Sequence, residues 1–337
     1  MKLTATLGGS LAFALMGATA GAQDVTIRYT EWLPPTYFMN QQVIYPYFEE
    51  IEKVTDGRVV VEVSAGPLGP PPRNYQMVVQ GIADMAWGVH GFTPGTFPLS
   101  ESVELPFHST HVGEDSAAYW KTFTELLEPA NMHPGVVTLA LNVQPPGQLF
   151  NNVREIAGQG DFEGLKIRTT NTSVSNALTA LGANPLGIPV TEMREALEKG
   201  IVDGISLTDE ALFHFNVHDH VTYELETPGG LYNASMFLVL NPATWARIAE
   251  EDQAAIMEIS GEKLSRMIGD AWQKEHMDGR VKAKDHGIQL NVAEGDLLAY
   301  LEATLAPLEA AWIEKANSAG VDAAAVLEMY RTTSRTE

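Results

Sequence analysis

Apolar and polar residues alternate from Val25 to Thr30, which puts Val25, Ile27 and Tyr29 on one face of a strand. A loop holding Glu31, Trp32, Pro34 and Pro35 follows, and then the period changes. Ile44, Tyr47, Phe48, Ile51 and Val54 recur at helical spacing, predicting a helix over about 39–55 that Gly57 closes. Alternation returns over 58–64. Strand, helix and strand in this order predict an α/β fold with parallel pairing.

The punctuation of the chain then occurs twice. Pro67-Leu68-Gly69 opens a loop, a helix runs through Tyr75 and Val79, and Gly81-Ile82-Ala83-Asp84 leads into a strand, Met85–Val89. Later, Pro185-Leu186-Gly187 opens a loop and a helix runs through Met193 and Leu197. Gly200-Ile201-Val202-Asp203-Gly204 then leads into a strand over 205–207. Glycine after each helix suits its termination, and the echo predicts two lobes on one plan. A crossover strand over 234–240 comes next. A helical stretch over about 252–285 is long enough to span both lobes. A final helix over about 294–316 precedes a tail expected to be disordered after Tyr330.

Length and composition narrow this picture. Lys2, an apolar run over 7–16 and small residues over 17–22 have the layout of a secretory signal peptide, with cleavage expected before Gln23. The run is shorter than the about 20 residues that span a bilayer, and no later segment approaches that length, so no membrane insertion is expected. The remaining stretch of about 315 residues exceeds what one core supports economically, which predicts two domains. The absence of cysteine excludes thiol catalysis, thiolate-bound zinc and iron–sulfur clusters. A formal charge of −22 argues against a nucleic-acid partner. It also repels anions, although screening over about 8 Å at physiological salt lets one well-placed arginine hold an acid.

Catalytic signatures are missing. There is no phosphate loop, dinucleotide fingerprint or Gly-x-Ser-x-Gly elbow. Ser260-Gly261-Glu262-Lys263 fits Ser-x-x-Lys, but it falls inside the long helix and no Lys-Thr-Gly follows, so no enzyme is expected. His214 and His218 have the spacing that can hold a metal on a helix, without the glutamate of a zinc protease. A surface or capping role is expected for them, with no metal and no cofactor.

Ligands of open α/β sheets lie beyond the carboxyl ends of the strands. That rule selects Glu31, Trp32 and Tyr37 after the first strand, and His90 and Phe92 after Met85–Val89. From the second lobe it selects Arg168 and Asn171 after 165–167, with Thr208 and Asp209 after 205–207. Phe213 joins the aromatic residues expected to wall an apolar pocket, and Tyr232 and Asn233 are candidate hydrogen-bonding groups before the crossover strand.

The run Gly164-Leu165-Lys166-Ile167-Arg168 is followed by Ala180-Leu181-Gly182-Ala183-Asn184-Pro185 and by Ala196-Leu197-Glu198-Lys199-Gly200-Ile201-Val202-Asp203-Gly204. Together with Glu52-Lys53-Val54-Thr55-Asp56-Gly57-Arg58 and Gly81-Ile82-Ala83-Asp84, these blocks resemble the substrate-binding subunits of TRAP transporters, the DctP family. They occur in that family's order and at about its spacing, over essentially all of the mature chain. The resemblance implies a Venus-flytrap fold of two α/β lobes bridged by a long helix, periplasmic in location. It implies a receptor that passes a small organic anion to the membrane subunits of a TRAP transporter. We expect 23–145 and about 234–275 to form lobe I, and 146–233 and about 276–330 to form lobe II.

In that family the arginine ending the Gly-Leu-Lys-Ile-Arg run binds a carboxylate, which marks Arg168. A guanidinium offers coplanar paired donors that match a carboxylate, as lysine cannot. Two departures qualify the resemblance. Where many members have a second arginine, this chain reads Gln144-Pro145-Pro146-Gly147-Gln148, with Gln148 nearest the expected place. After Val-Asp-Gly the sialic-acid members have Gln-Glu-Asn-Pro, whereas this chain is nearer to the branch with Pro-Trp-Glu, replaced here by Thr208-Asp209-Glu210. The second departure argues against sialic acid, and the missing second arginine together with the aromatic residues favours a monocarboxylate, hydroxylated or aromatic, over a C4-dicarboxylate. A C4-dicarboxylate, a sulfonate, or a sensing role in place of transport remain the alternatives.

Overall fold

In the computed structural model, which describes residues 25–335, the first alternating segment is strand β1 (Val25–Thr30). The expected signal peptide, 1–22, lies outside the described residues. β1 pairs in parallel with β2 (Val59–Val63) and with β3 (Met85–Val89). The returning strand β10 (Ser235–Leu240) lies antiparallel between β3 and β4 (Val137–Val143). The first sheet therefore has the order β2-β1-β3-β10-β4. β3 and β10 are buried along their whole length, as their continuous apolar runs require.

A second sheet gathers the middle of the chain. It comprises β5 (Gln148–Asn151), β6 (Lys166–Thr169), β7 (Asn184–Gly187), β8 (Gly204–Leu207), β9 (Tyr223–Glu226) and β11 (Gln289–Val292). Their order is β11-β9-β5-β8-β6-β7, with β6 parallel to both β7 and β8. The chain passes between the sheets at 144–147 and 227–234, so the fold is two α/β lobes.

The repeated punctuation has one structural meaning in both lobes. Gly81 and Gly200 take left-handed conformations (φ 70° and 63°) just past a short helix. The next amides, Ile82 and Ile201, each reach back 2.9 Å to a carbonyl of that helix, at Met77 and Ala196. This is the helix-terminating motif that glycine makes accessible. Asp84 and Asp203 then each accept a 2.9 Å bond from a backbone amide, Arg28 on β1 and Lys166 on β6, and so anchor one strand beside another.

The long helical stretch bridges the lobes but is not continuous. It breaks between Glu250–Ile259 and Gly261–His286, where Ser260 is extended and Gly261 has φ 61°. The Ser260 hydroxyl bonds to Ile256 O (2.6 Å) and Tyr47 Oη (2.7 Å), so the Ser-x-x-Lys serine is a buried structural group at the break. Past the break, Leu264, Ile268 and Trp272 enter the first core, and Ala283 enters the second lobe. Gly279 is required by contact. A Cβ there would lie 2.4 Å from Glu210 N, so the helix presses backbone to backbone on the residues after β8.

The C-terminal region departs from the expected division. The helix Gly295–Ser318 begins against the second lobe through Leu297, Leu301 and Leu305, then enters the first core through Trp312 and Ala316. A further helix, Ala323–Thr333, packs Val326, Leu327 and Tyr330 into that same core. Segment 312–330 thus belongs with lobe I, because its apolar stripe completes that core. Residues 331–335 are not a loose tail. Arg331 pairs with Glu309 and approaches His108 Nε2 at 2.8 Å.

The two aspartates invite a direct comparison. Charged hydrogen bonds are each worth about 1.5–3 kcal/mol, so Asp203→Ala should destabilise the protein by about that amount in urea unfolding. Asp84→Ala should cost more, because Asp84 also binds the Arg28 guanidinium (2.7 Å) and Thr244 Oγ1 (2.7 Å).

Candidate ligand-binding site

Arg168 lies in the buried run of β6, between Ile167 and Thr169, and is 1% exposed. Its Nε donates to Ile188 O at 2.8 Å, and its Nη1 donates to Thr170 Oγ1 at 2.9 Å and Ser206 O at 3.3 Å. Its Nη2 has no hydrogen-bond partner among the described residues. Among the described residues no carboxylate forms a salt bridge with it, and burial pushes its pKa down to about 10. The group is therefore still a cation at neutral pH. A buried ion without a counterion costs several kcal/mol, and an arriving anion would offset that cost.

The guanidinium lines a cavity of about 50 Å³ between the lobes. The first lobe supplies Trp32, Tyr37, Trp87 and Phe92, and Trp272 comes from the bridging helix. Trp32 lies 5.8 Å from Trp87 and meets Phe92 edge-on at 5.7 Å, while Trp87 meets Trp272 edge-on at 6.4 Å. This connected aromatic wall suits an apolar ligand body. The polar inventory is one-sided. Gln144 Nε2, Trp32 Nε1 and Trp272 Nε1 are buried donors without partners, like Arg168 Nη2. Only Trp87 Nε1 among the indoles here is occupied, by Asn142 Oδ1 at 3.3 Å. Buried polar groups are normally paired, so this excess of donors selects a ligand rich in acceptors.

A larger groove of about 310 Å³ adjoins the cavity and shares Phe92, Thr170 and Val190 with it. Prolines, threonines and Asn171 line it, with no charged side chain. Size favours the groove, but the chemistry for an anion lies in the inner cavity, and we place the site there.

Of the residues selected from sequence, the fold brings Arg168, Trp32, Tyr37, Phe92 and Thr208 to this cavity. The others have different surroundings. Glu31 is buried and accepts from the amides of Trp32 and Leu33 (both 2.9 Å) and from Tyr45 Oη (3.0 Å), so it shapes the loop that carries Trp32. His90 faces Ser235 Oγ (2.9 Å) and His133 Nε2 (2.8 Å) inside the first lobe, and burial lowers its pKa to about 3. Gln148 is consumed by the backbone of Thr227. Asn171 caps the helix Thr172–Ala180 and donates to Asn233 O at 2.9 Å, on the segment that crosses between the lobes. Asn233 accepts from the Ala234 amide (2.8 Å) through its own side chain. Asp209 lies beside His276 (3.3 Å), Phe213 stacks on His218 (4.7 Å), and Tyr232 is buried with its hydroxyl unpaired.

His214 does not join His218. It meets Glu275 (3.3 Å) and stacks on Phe38. His218 instead comes together with Asp219 and His286, their ligand atoms all within 4.8 Å of one another, and none of the three lines the cavity.

Sequence reasoning missed Gln144, Glu210 and Trp272. Gln144 sits in the segment where the family resemblance puts a second arginine, four residues before Gln148, the residue nearest that place. Glu210 adjoins the selected Asp209, and the helix start turns it inward to line the cavity. Trp272 shares a helical stripe with Leu264 and Ile268, a signal for burial that does not reveal a cavity.

Two α/β lobes around an anion-seeking cavity define an interlobe solute-binding protein. Among the described residues no helix is long and apolar enough to cross a membrane. The family model for bacterial extracellular solute-binding protein, family 7 (DctP), matches residues 32–315, and the chain belongs to that family, the solute-binding subunits of TRAP transporters. The outer membrane transporter protein TsaT of Comamonas testosteroni is 30% identical over 324 residues, 94% of each chain. A TRAP periplasmic solute-binding protein from Bordetella bronchiseptica, solved with bound (R)- and (S)-mandelate, superposes with a TM-score of 0.89. It is 30% identical, over 92% of this chain and 99% of that one. A TRAP solute-binding protein from Rhodoferax ferrireducens, solved with copurified benzoate, gives a TM-score of 0.85 at 28% identity, over 92% and 97%.

An unpaired buried donor is a cost to the protein alone, so Gln144→Leu should leave the thermal midpoint without ligand unchanged or raise it. The same variant should weaken acid binding in calorimetry, a combination that a purely structural glutamine would not give.

Proposed function

We propose that this protein is a periplasmic receptor for a monocarboxylate with an aromatic or similarly apolar body, which it delivers to the membrane subunits of a TRAP transporter. Arg168 carries this reading: it is a buried guanidinium, without a carboxylate partner, keeping one donor nitrogen free. That nitrogen takes the ligand's carboxylate, and the wall of Trp32, Trp87 and Trp272 takes the body. Occupation of Gln148 by Thr227 leaves no second clamp at the place where relatives carry another arginine, which supports one carboxylate over two. Mandelate and benzoate in the Bordetella and Rhodoferax proteins are acids of this shape.

Export follows from the signal-peptide layout of residues 1–22, with the mature chain starting at Gln23. The role is binding without catalysis, supported by a cavity whose polar groups are almost all donors and by the structural commitment of Ser260. The lobes hinge around the ligand, and contacts such as Ser173 Oγ to Glu104 Oε2 at 3.2 Å hold them together.

Calorimetry with benzoate and mandelate tests the anchor. Arg168→Ala should lose about 2–5 kcal/mol of binding, roughly 30- to 4000-fold in Kd, as expected for one half of a buried charge pair. An unchanged affinity would remove Arg168 from the site.

A further inference from the structure

One group in the cavity wall is an acceptor among donors. Glu210 follows Asp209 at the start of the helix Asp209–His214, where its backbone is held against Gly279 of the bridging helix. The side chain is 2% exposed and lines the cavity. Its Oε1 accepts from the Thr208 hydroxyl, and its Oε2 has no partner within the protein.

The charged and titratable neighbours come from several elements. Asp209 is adjacent in sequence. The bridging helix supplies Glu275 and His276, the latter with Nδ1 4.0 Å from Glu210 Oε2, and carries Arg280 one turn further on. Arg280 is directed to Glu226 at 2.8 Å. Glu224 on β9 lies on the far side of Asp209, and Tyr37 faces Glu210 from the first lobe. None of these supplies Glu210 with a paired cation. Burial first, with the charges of Asp209 and Glu275 in support, pushes its pKa up to about 8. At neutral pH the carboxyl is therefore mostly neutral. It can stand beside a bound carboxylate without repelling it, and its free oxygen can exchange a hydrogen bond with a ligand group.

We propose that Glu210 is the specificity-determining residue of the cavity, its free carboxyl oxygen pairing with a hydroxyl on the acid that Arg168 holds, so that the preferred ligand is a hydroxy acid. This rests on the reading of Arg168 as the carboxylate anchor. A plain carboxylate of the same shape leaves Oε2 buried and unpaired, and sites built to pair a hydroxyl reject the analogue without it.

The experiment compares two pairs of acids in calorimetry, mandelate with phenylacetate and 3-hydroxybenzoate with benzoate, on the wild type, Glu210→Leu and Glu210→Gln. The wild type should bind one hydroxy acid at least tenfold more tightly than its partner. Glu210→Leu should erase that preference, and Glu210→Gln should retain most of it. A pH series gives a second readout that does not depend on the leucine variant folding. Ionised Glu210 repels the ligand carboxylate, so wild-type affinity should fall as pH rises through about 8, and Glu210→Gln should lack that fall. A hydroxyl preference unchanged in Glu210→Leu, or binding by the wild type with no preference in either pair, overturns this inference alone. No binding of any of the four acids overturns the receptor reading and this inference with it.

Discussion

The site depends on a cation buried with no anion of the protein beside it. Placing a guanidinium there is tolerable only because acceptors meet it from three directions, and the sheet supplies them. β6 lies between β8 and β7, so Ser206 O approaches Arg168 from one neighbouring strand and Ile188 O from the turn just beyond the other. Thr170, two residues on along the same chain, takes the third position. What these groups leave unsatisfied is one nitrogen of the guanidinium, Nη2. A carboxylate brings to it both acceptor oxygens and the missing negative charge.

The elements that look most like sequence signatures serve this placement indirectly. Asp203 never approaches the cavity, but its carboxylate holds the Lys166 amide two residues before Arg168. The preceding Gly200 ends the helix in the conformation that delivers Asp203 there. Its counterpart in the first lobe, Gly81 to Asp84, performs the same operation on β1, whose end carries Glu31 and Trp32. The bridging helix couples the two results. It places Trp272 in the cavity wall, and its Gly279 sits against the backbone of Glu210.

How legible this was in the sequence varied with the range of the interaction. Strand positions and the repeated helix ends depend on neighbours within a few residues, and periodicity exposes those. The rule that ligands lie at the carboxyl ends of strands found Arg168, Trp32, Tyr37, Phe92 and Thr208. It also selected Glu31, His90 and Asp209, because it cannot distinguish a polar side chain already occupied by backbone amides or by a second element from one still free. Glu31 shows the difficulty best: it occupies a ligand-facing loop, yet its oxygens fold back on the amides of that same loop. Trp272 and Gln144 arrive from a helix and a crossover far off in sequence. Likewise, the apolar stripe of Ala323–Thr333 fits either lobe until the first core is seen to need it.

A protein with a formal charge of −22 should be a poor host for an anion, and the resolution is local. Two of the acids beside the cavity are not carboxylates in the ordinary sense. Burial pushes Glu210 up to about 8 and Glu224 to about 9, so at neutral pH these two add little negative charge behind the site. Arg280, which would otherwise compete for a ligand's charge, is taken up by Glu226. Surface acids further away are screened within about 8 Å at physiological salt. An entering acid therefore meets one uncompensated cation, neutral indole and amide donors, and a neutral carboxyl group. Ionising that last group would turn the site against its own ligand, which makes the protonation of Glu210 as much a part of anion binding as the charge of Arg168.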